Sequence, residues 1–306
     1  MPDLNFNTES DISDLSGKTI FITGGTSGLG AQSAIRLSKH NPSHIYISGR
    51  NAQSAERVIT QIHNSGSKTE VTFIPCNLAS LDSVKQAISK FTSETTHLDI
   101  LMCNAGVMAQ GPGLTKDGYE IQFGTNHLGH ALLIRRLLPL LETTASEGGD
   151  ARIIILTSQG FLLHPSAGIV FDDLRTTQEC LFPGPWRRYG QSKLANLLYA
   201  RELAKRYPGI LSVAVHPGVA ATDLVGSQGF LNKAFIYTTN FGKLLRPEEG
   251  AHNQCWAATI ARDRIESGMY YEPVGKQERE RLDKTAKDDV LAGKLWDWTE
   301  KVLDGF

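Results

Sequence analysis

Short apolar runs rich in Ile and Val alternate along this chain with longer amphipathic stretches. KTIFITGG reads as a strand ending in glycines, and LGAQSAIRLSKH behind it as a helix. HIYISGR with SAERVITQIHN, and EVTFIPCNL with SLDSVKQAISKFTSE, repeat the pair. LDILMCNAG is a fourth strand, followed by a long helical region from about Gly118 to Leu141. ARIIILTSQG is a fifth strand, YGQSKLANLLYAREL a helix, ILSVAVHPG a sixth strand and GMYYEPVG a late seventh. The tail from Gln277 is charged and then helical, with Trp296 and Trp298 as packing anchors. Strands apolar on both sides, in repeated βα order, predict a parallel sheet covered by helices on both faces.

The first residues, 1–15, are polar and acidic and read as an arm leading into the first strand. Residues 16–306 read as one domain, with no internal repeat, low-complexity tract or linker. Two irregular stretches, at about 160–186 and 219–247, follow strands of the second half. Loops after strand C-termini form the ligand crevice of an open α/β sheet, so these two are expected to wall a substrate pocket. They carry Phe161, Leu162, Leu163, Phe171, Phe182, Trp186, Leu224, Phe230, Phe235, Ile236, Tyr237 and Phe241 with few charges between them. An apolar, aromatic or polycyclic ligand fits that lining. The plainer alternative is that these side chains pack the loops themselves. Phe161, His164, Trp186 and Leu224 are the candidates for contact with substrate. The second loop, with Gly226 and Gly229 between apolar anchors, is expected to act as a lid.

Composition narrows the function classes. The 306 residues include 31 basic and 32 acidic side chains and no Lys/Arg block, which gives no sign of nucleic-acid binding. Cys76, Cys103, Cys180 and Cys255 are scattered, a pattern of reduced thiols rather than disulfides, and no metal-ligand spacing occurs. No apolar run reaches the length of a membrane span, and the first residues are unlike a secretory or mitochondrial signal. A soluble, cytoplasmic protein is expected, and a homodimer is compatible with the sequence.

TGGTSGLG, from Thr23 to Gly30, directly follows a strand and opens a helix, the context that gives a glycine motif meaning. Gly24 permits a tight turn, Gly28 a close approach of backbone to a pyrophosphate, and Gly30 close packing of helix on strand. Free N–H groups of the helix start can hold the anion. The fold expectation is therefore α/β: a single Rossmann-type doubly wound domain with a mostly parallel seven-stranded sheet flanked by helices. The second strand ends in Gly49-Arg50, where a carboxylate would serve the ribose hydroxyls of NAD. A guanidinium instead suits a 2′-phosphate, which favours NADP(H). Tyr189 and Lys193, four residues apart on a helix, share one face. An ammonium near a phenol favours phenolate, so Tyr189 is expected to have a lowered pKa and to work as an acid/base.

With these features the chain resembles the short-chain dehydrogenase/reductase family, over about Lys18 to Tyr271. TGGTSGLG is similar to that family's cofactor turn. Cys103-Asn104-Ala105-Gly106 is similar to its NNAG segment, with Cys in place of the first Asn. Ser158, Tyr189 and Lys193 match its catalytic triad, and Asn126 its fourth catalytic member. His216-Pro217-Gly218 followed by Thr222 matches the segment that closes over the nicotinamide. LMCNAGVM, TNHLGHALLIRRLLPLL and YGQSKLANLLYAREL look most like the branch of retinol dehydrogenases, the WW-domain oxidoreductase and protochlorophyllide reductase, which mostly uses NADP(H).

The resemblance implies roles. Tyr189 exchanges the proton with the substrate oxygen, Lys193 lowers the phenol pKa and bonds the nicotinamide ribose, and Ser158 orients the carbonyl. Asn126 holds a water that links Lys193 to solvent. Thr23, Gly24, Thr26, Ser27, Gly28, Leu29, Gly30, Arg50, Asn51, Asn77, Leu78, Asn104, Ala105, Gly106, Pro217, Gly218, Val219 and Thr222 join Tyr189 and Lys193 in holding the cofactor. Asn77 stands where the family commonly has Asp. His127 and His130, near Asn126, are expected to bond locally. The expected activity is reduction of an apolar ketone or aldehyde, as in secondary metabolism, with Tyr189 as proton donor. Two alternatives stay open: an alcohol dehydrogenase working oxidatively, and a non-catalytic dinucleotide-binding regulator.

Overall fold

In a computed structural model, which describes residues 6–179, 183–221, 226, 229–239 and 244–306, seven parallel strands and one antiparallel strand form a single sheet. The strands are β1 (Thr19–Thr23), β2 (His44–Gly49), β3 (Glu70–Pro75) and β4 (Ile100–Cys103), then β5 (Arg152–Leu156), β6 (Leu211–Val215), β7 (Tyr270–Glu272) and β8 (Lys276–Gln277). Their spatial order is β3-β2-β1-β4-β5-β6-β7-β8. The expected count of seven is thus one short. Lys276–Gln277 folds back antiparallel on β7, with Tyr271 opposite Gln277. Two polar residues carry no alternation by which a strand could be read.

The helices are α1 (Gly28–Leu37), α2 (Ala52–Asn64), α3 (Leu81–Glu94), the single turn α4 (Ile121–Phe123), α5 (Gly129–Ser146) and α6 (Gly184–Arg206). After them come α7 (Phe230–Thr239), α8 (His252–Thr259) and α9 (Asp289–Leu303). Gly124–Leu128 forms a π-helical turn between α4 and α5, so the long helical region expected from Gly118 runs from Ile121 to Ser146 and contains an irregularity at Asn126. Glu120 starts it: its carboxylate accepts the N–H groups of Gln122 and Phe123 at 3.0 and 2.7 Å.

Every residue of β1, β4, β5 and β6 is buried, as strands covered on both faces require. Alternate side chains supply two cores. Phe21, Leu101, Ile153 and Ile155 face α3, α5, α6 and α9. Ile20, Ile22, Met102 and Ile154 face α1, α2 and α8. Both tryptophan anchors hold α9: Trp296 stacks on Tyr199 at 4.9 Å, and Trp298 meets Phe123 edge-on at 5.9 Å. Within the arm, Phe6, Ile12 and Leu15 are buried, and Arg36 donates to Thr8 Oγ1 at 2.6 Å. Cys76, Cys103 and Cys255 are free and buried.

Strand order reverses between β1 and β4, which places the open crevice at the carboxyl ends of those two strands. The second loop returns to the body of the domain through a parallel bridge between Ala220 and Leu245. Thr222, Leu224, Cys180, Phe182, Phe241 and the side chain of Phe235 lie outside the described residues, as does part of the expected lid. Among the described residues, no helix is long and apolar enough to cross a membrane.

Candidate active site

A cavity of about 360 Å³ opens where β1 and β4 diverge. Thr23, Gly24, Thr26, Ser27, Gly28 and Leu29 form one wall, and Asn77, Leu78, Asn104, Ala105 and Gly106 another. Gly24 turns with φ +65°, a conformation that a side chain would strain. A Cβ on Gly30 would lie 2.4 Å from both Asn104 Nδ2 and the Gly24 carbonyl, so the turn closes only around hydrogen. Thr23 ties the walls together: its Oγ1 accepts from the N–H groups of Asn104 and Ala105 at 2.9 and 3.0 Å.

The cavity suits an anionic, polar ligand. Ser27, the N-cap of α1, makes no side-chain cap bond, and no acid stands in the first turn, so the helix N–H groups are open to an anion. Among the described residues, no carboxylate lines the cavity, and Arg50 is the one charged residue that does. Arg50 is exposed. Asn104 Oδ1 and Thr125 Oγ1 are buried without a protein partner, and both residues line the cavity. Orphaned acceptors and hydroxyls of this kind fit a ligand rich in hydroxyl and amine groups. Thr125, Gln110 and Ile121 escape the sequence reading because helical spacing alone does not show which residues face a cavity. Two expected contacts are engaged elsewhere. Asn51 Oδ1 caps α2 by accepting from Ser54, and Asn77 Oδ1 accepts from the N–H of Ala79 at 3.1 Å.

Tyr189 and Lys193 are both buried on α6, one turn apart. Lys193 Nζ donates to the Leu156 carbonyl at 3.0 Å and stands 5.8 Å from the Tyr189 ring centre. Burial pushes the phenol up to about 12, against an opposing hydrogen bond with Ser158. Burial likewise pulls the Lys193 ammonium down to about 8. The expected lowering of the Tyr189 pKa is therefore reversed in the ligand-free protein, because desolvation by burial is the dominant influence on the phenol. Tyr189 is held as a protonated acid at neutral pH.

Ser158 follows β5 and caps a short 3₁₀ turn, its Oγ accepting from Gly160 N–H at 3.1 Å. Gly160 lets the tyrosine ring approach, since a Cβ there would come within 2.9 Å of Tyr189 Cε1. Asn126, in the π-helical turn, accepts from Val107 N–H at 2.8 Å and donates to the Val107 carbonyl and to Ser192 Oγ, both at 2.9 Å. Gly106 lies between Asn126 Oδ1 and Lys193 Nζ; a Cβ there would stand 3.1 and 3.5 Å from them. The four residues expected to act together are thus brought to one place, beside the inner end of the cavity.

The expected substrate residues divide. Trp186 is buried and meets Tyr189 edge-on at 6.1 Å, in a small apolar cluster with Met108, Ala109 and Ile236. Phe161 is 1% exposed and packs against Tyr270, so it belongs to the core and not to a pocket wall. His164 has both ring nitrogens engaged, with the Pro165 carbonyl and with Asp283 at 2.8 Å. Pro217, Gly218 and Val219 follow β6, and Gly218, at φ +83°, lies against Leu245. His127 and His130 are buried, and burial lowers their pKa values to about 3 and about 4.

The chain is similar to known proteins in sequence and in fold. A family model described as short chain dehydrogenase matches residues 18–170. An uncharacterized oxidoreductase of Schizosaccharomyces pombe is 37% identical over 97% of this chain and 88% of its own. Human retinol dehydrogenase 13 is 35% identical over 92% of this chain and 82% of its own. The solved RhlG/NADP active-site complex of Pseudomonas aeruginosa is 25% identical with a TM-score of 0.66, covering 86% of this chain and 96% of that one. With its glycine turn, divergent strand ends and Tyr/Lys helix, the chain belongs to the short-chain dehydrogenase/reductase family, oxidoreductases that use a nicotinamide dinucleotide.

Proposed function

We propose that the protein is an NADP(H)-dependent reductase of an apolar ketone or aldehyde, with Tyr189 as its proton donor. The observation that carries this reading is the placing of Tyr189: a buried phenol one helical turn from Lys193, bonded to Ser158, and flanked by the apolar Trp186, Met108 and Ile236. Thr23, Gly24, Ser27, Gly28 and Leu29 would hold the pyrophosphate, and Asn104, Ala105 and Gly106 the nicotinamide ribose. Arg50 would take the 2′-phosphate. A described lining with Arg50 and no carboxylate supports that choice, because a carboxylate beside a phosphate would repel it. The NADP complex of the Pseudomonas relative supports it too.

When bound, the reduced nicotinamide supplies the hydride. The chain supplies the remainder. Ser158 orients the carbonyl, and Tyr189 gives its proton to the oxygen as negative charge develops there. Lys193 sits one turn behind with a pKa near neutrality, suited to return a proton toward the phenolate. Asn126 fixes the Val107 segment and Ser192 around that lysine. The apolar cluster excludes water from the reacting oxygen. NADPH consumption with a panel of aromatic and polycyclic ketones, run beside Tyr189→Phe, tests the assignment. Turnover should fall by roughly 10²–10⁴-fold in the variant while dinucleotide affinity holds. If neutral-pH oxidation of alcohols outpaces reduction across the panel, the direction assigned here is wrong.

A further inference from the structure

His130 is not used by the proposed reaction, yet it is buried between the two halves of the site. It lies one helical turn beyond Asn126. Its Nδ1 is 3.0 Å from the Asn126 carbonyl, and its Nε2 is 2.8 Å from Thr23 Oγ1. A carbonyl can only accept, so Nδ1 carries the proton. A neutral ring then leaves Nε2 as an acceptor, and the Thr23 hydroxyl donates to it in preference to its other acceptor, the Met102 carbonyl at a longer 3.4 Å. Thr23 Oγ1 is thereby left with its lone pairs toward Asn104 N–H and Ala105 N–H, both of which it accepts. Gly24, the next residue, opens the glycine turn at φ +65°.

We infer that His130 is a positioning residue that couples the dinucleotide-holding turn to the Asn126–Lys193 side of the site. One imidazole orients the Thr23 hydroxyl that locks β1 to the Asn104 segment. The same imidazole holds the carbonyl of Asn126 in the π-helical turn, whose side chain clamps Val107 and Ser192. The inference rests on the family's use of a nicotinamide dinucleotide and not on which phosphate or carbonyl compound is bound.

The two ends separate by substitution. His130→Gln can present an amide oxygen near the Nε2 position and keep the Thr23 contact. His130→Asn can present an amide nitrogen near Nδ1 and keep the Asn126 contact. His130→Phe keeps the volume and loses both. Fluorescence titration with NADPH and NADH should show affinity for both falling about tenfold in His130→Phe, the scale of one lost buried hydrogen bond. His130→Gln should retain more affinity than His130→Asn. His130→Asn should retain more turnover at saturating dinucleotide than His130→Gln. Long-range ¹H–¹⁵N spectra of the ligand-free protein should show the His130 ring protonated at Nδ1 and bare at Nε2. A ring protonated at Nε2, a folded His130→Phe that binds as tightly as the unsubstituted protein, or two amide variants indistinguishable in both readouts would each overturn the inference. If His130→Phe fails to fold, the amide pair and the spectrum decide it.

Discussion

Arg188, the residue before Tyr189, pairs through Nε with Glu120 Oε1 at 3.2 Å, and neither side chain is more than 2% exposed. Glu120 Oε2 caps the turn that leads to Asn126, and Arg188 also donates to the carbonyls of Gln110 and Gln178. The pair therefore joins the start of α6, the turn carrying Asn126 and the segments on either side. Burial raises the Glu120 pKa, and the N–H groups of Phe123 and Gln122 and the Arg188 guanidinium oppose that shift. Removing one partner leaves a buried charge alone. Arg188→Met should cost about 3–5 kcal/mol, and adding Glu120→Gln should recover most of it. Urea unfolding of the single and double variants checks this. A single variant within about 1 kcal/mol of the parent would mean that the pair carries little.

Among the described residues, Arg50 is the one cation lining the cavity. Arg50→Ala should weaken NADPH about tenfold and leave NADH nearly unchanged, since only the 2′-phosphate is lost as a partner. Fluorescence titration measures both. Equal affinity of the two dinucleotides for the unsubstituted protein would remove the case for NADP(H).

Lys193 is buried with a pKa pulled from 10.5 to about 8. A depressed lysine pKa means that the ammonium is disfavoured in the folded state. The destabilisation is complete below about pH 8 and disappears as pH rises through the unfolded value. Lys193→Met should therefore stabilise the ligand-free protein at pH 7, by about 1–3 kcal/mol, while abolishing turnover. The advantage should shrink when melting is repeated at about pH 9.5. A gain independent of pH would point to packing and not to desolvation.

Gly30 has no room for a methyl group. Gly30→Ala should force apart the Gly24 carbonyl and Asn104, with a loss of about 1–3 kcal/mol. Dinucleotide affinity should fall with it. Calorimetric melting and titration on the same sample give both numbers, and normal binding by the alanine variant would show the turn to be more yielding than its contacts suggest.

The sequence by itself determined the order of strands and helices and the residue types of the site. Apolar runs of four or five residues, as in β1, β4, β5 and β6, have too little polar surface to be anything but a covered sheet. TGGTSGLG between a strand and a helix reads as an anion turn because only glycine reaches the required backbone angles and contacts. Tyr189 and Lys193 at i and i+4 reach one helical face by geometry alone. The tertiary structure decided what those groups experience. It put both in a dry interior, where desolvation raised the phenol and lowered the ammonium, the reverse of what a solvent-exposed pair would do. It turned Phe161 into the core, engaged His164 with Asp283, and brought His130 against Thr23 across 107 positions of sequence. It also added β8, whose two residues take their conformation from the neighbouring strand and not from their own pattern. Periodicity reports only which face a residue shares with its neighbours. Dielectric, hydrogen-bond partner and cavity exposure depend on atoms contributed by distant segments, and those are fixed only when the sheet closes over its helices.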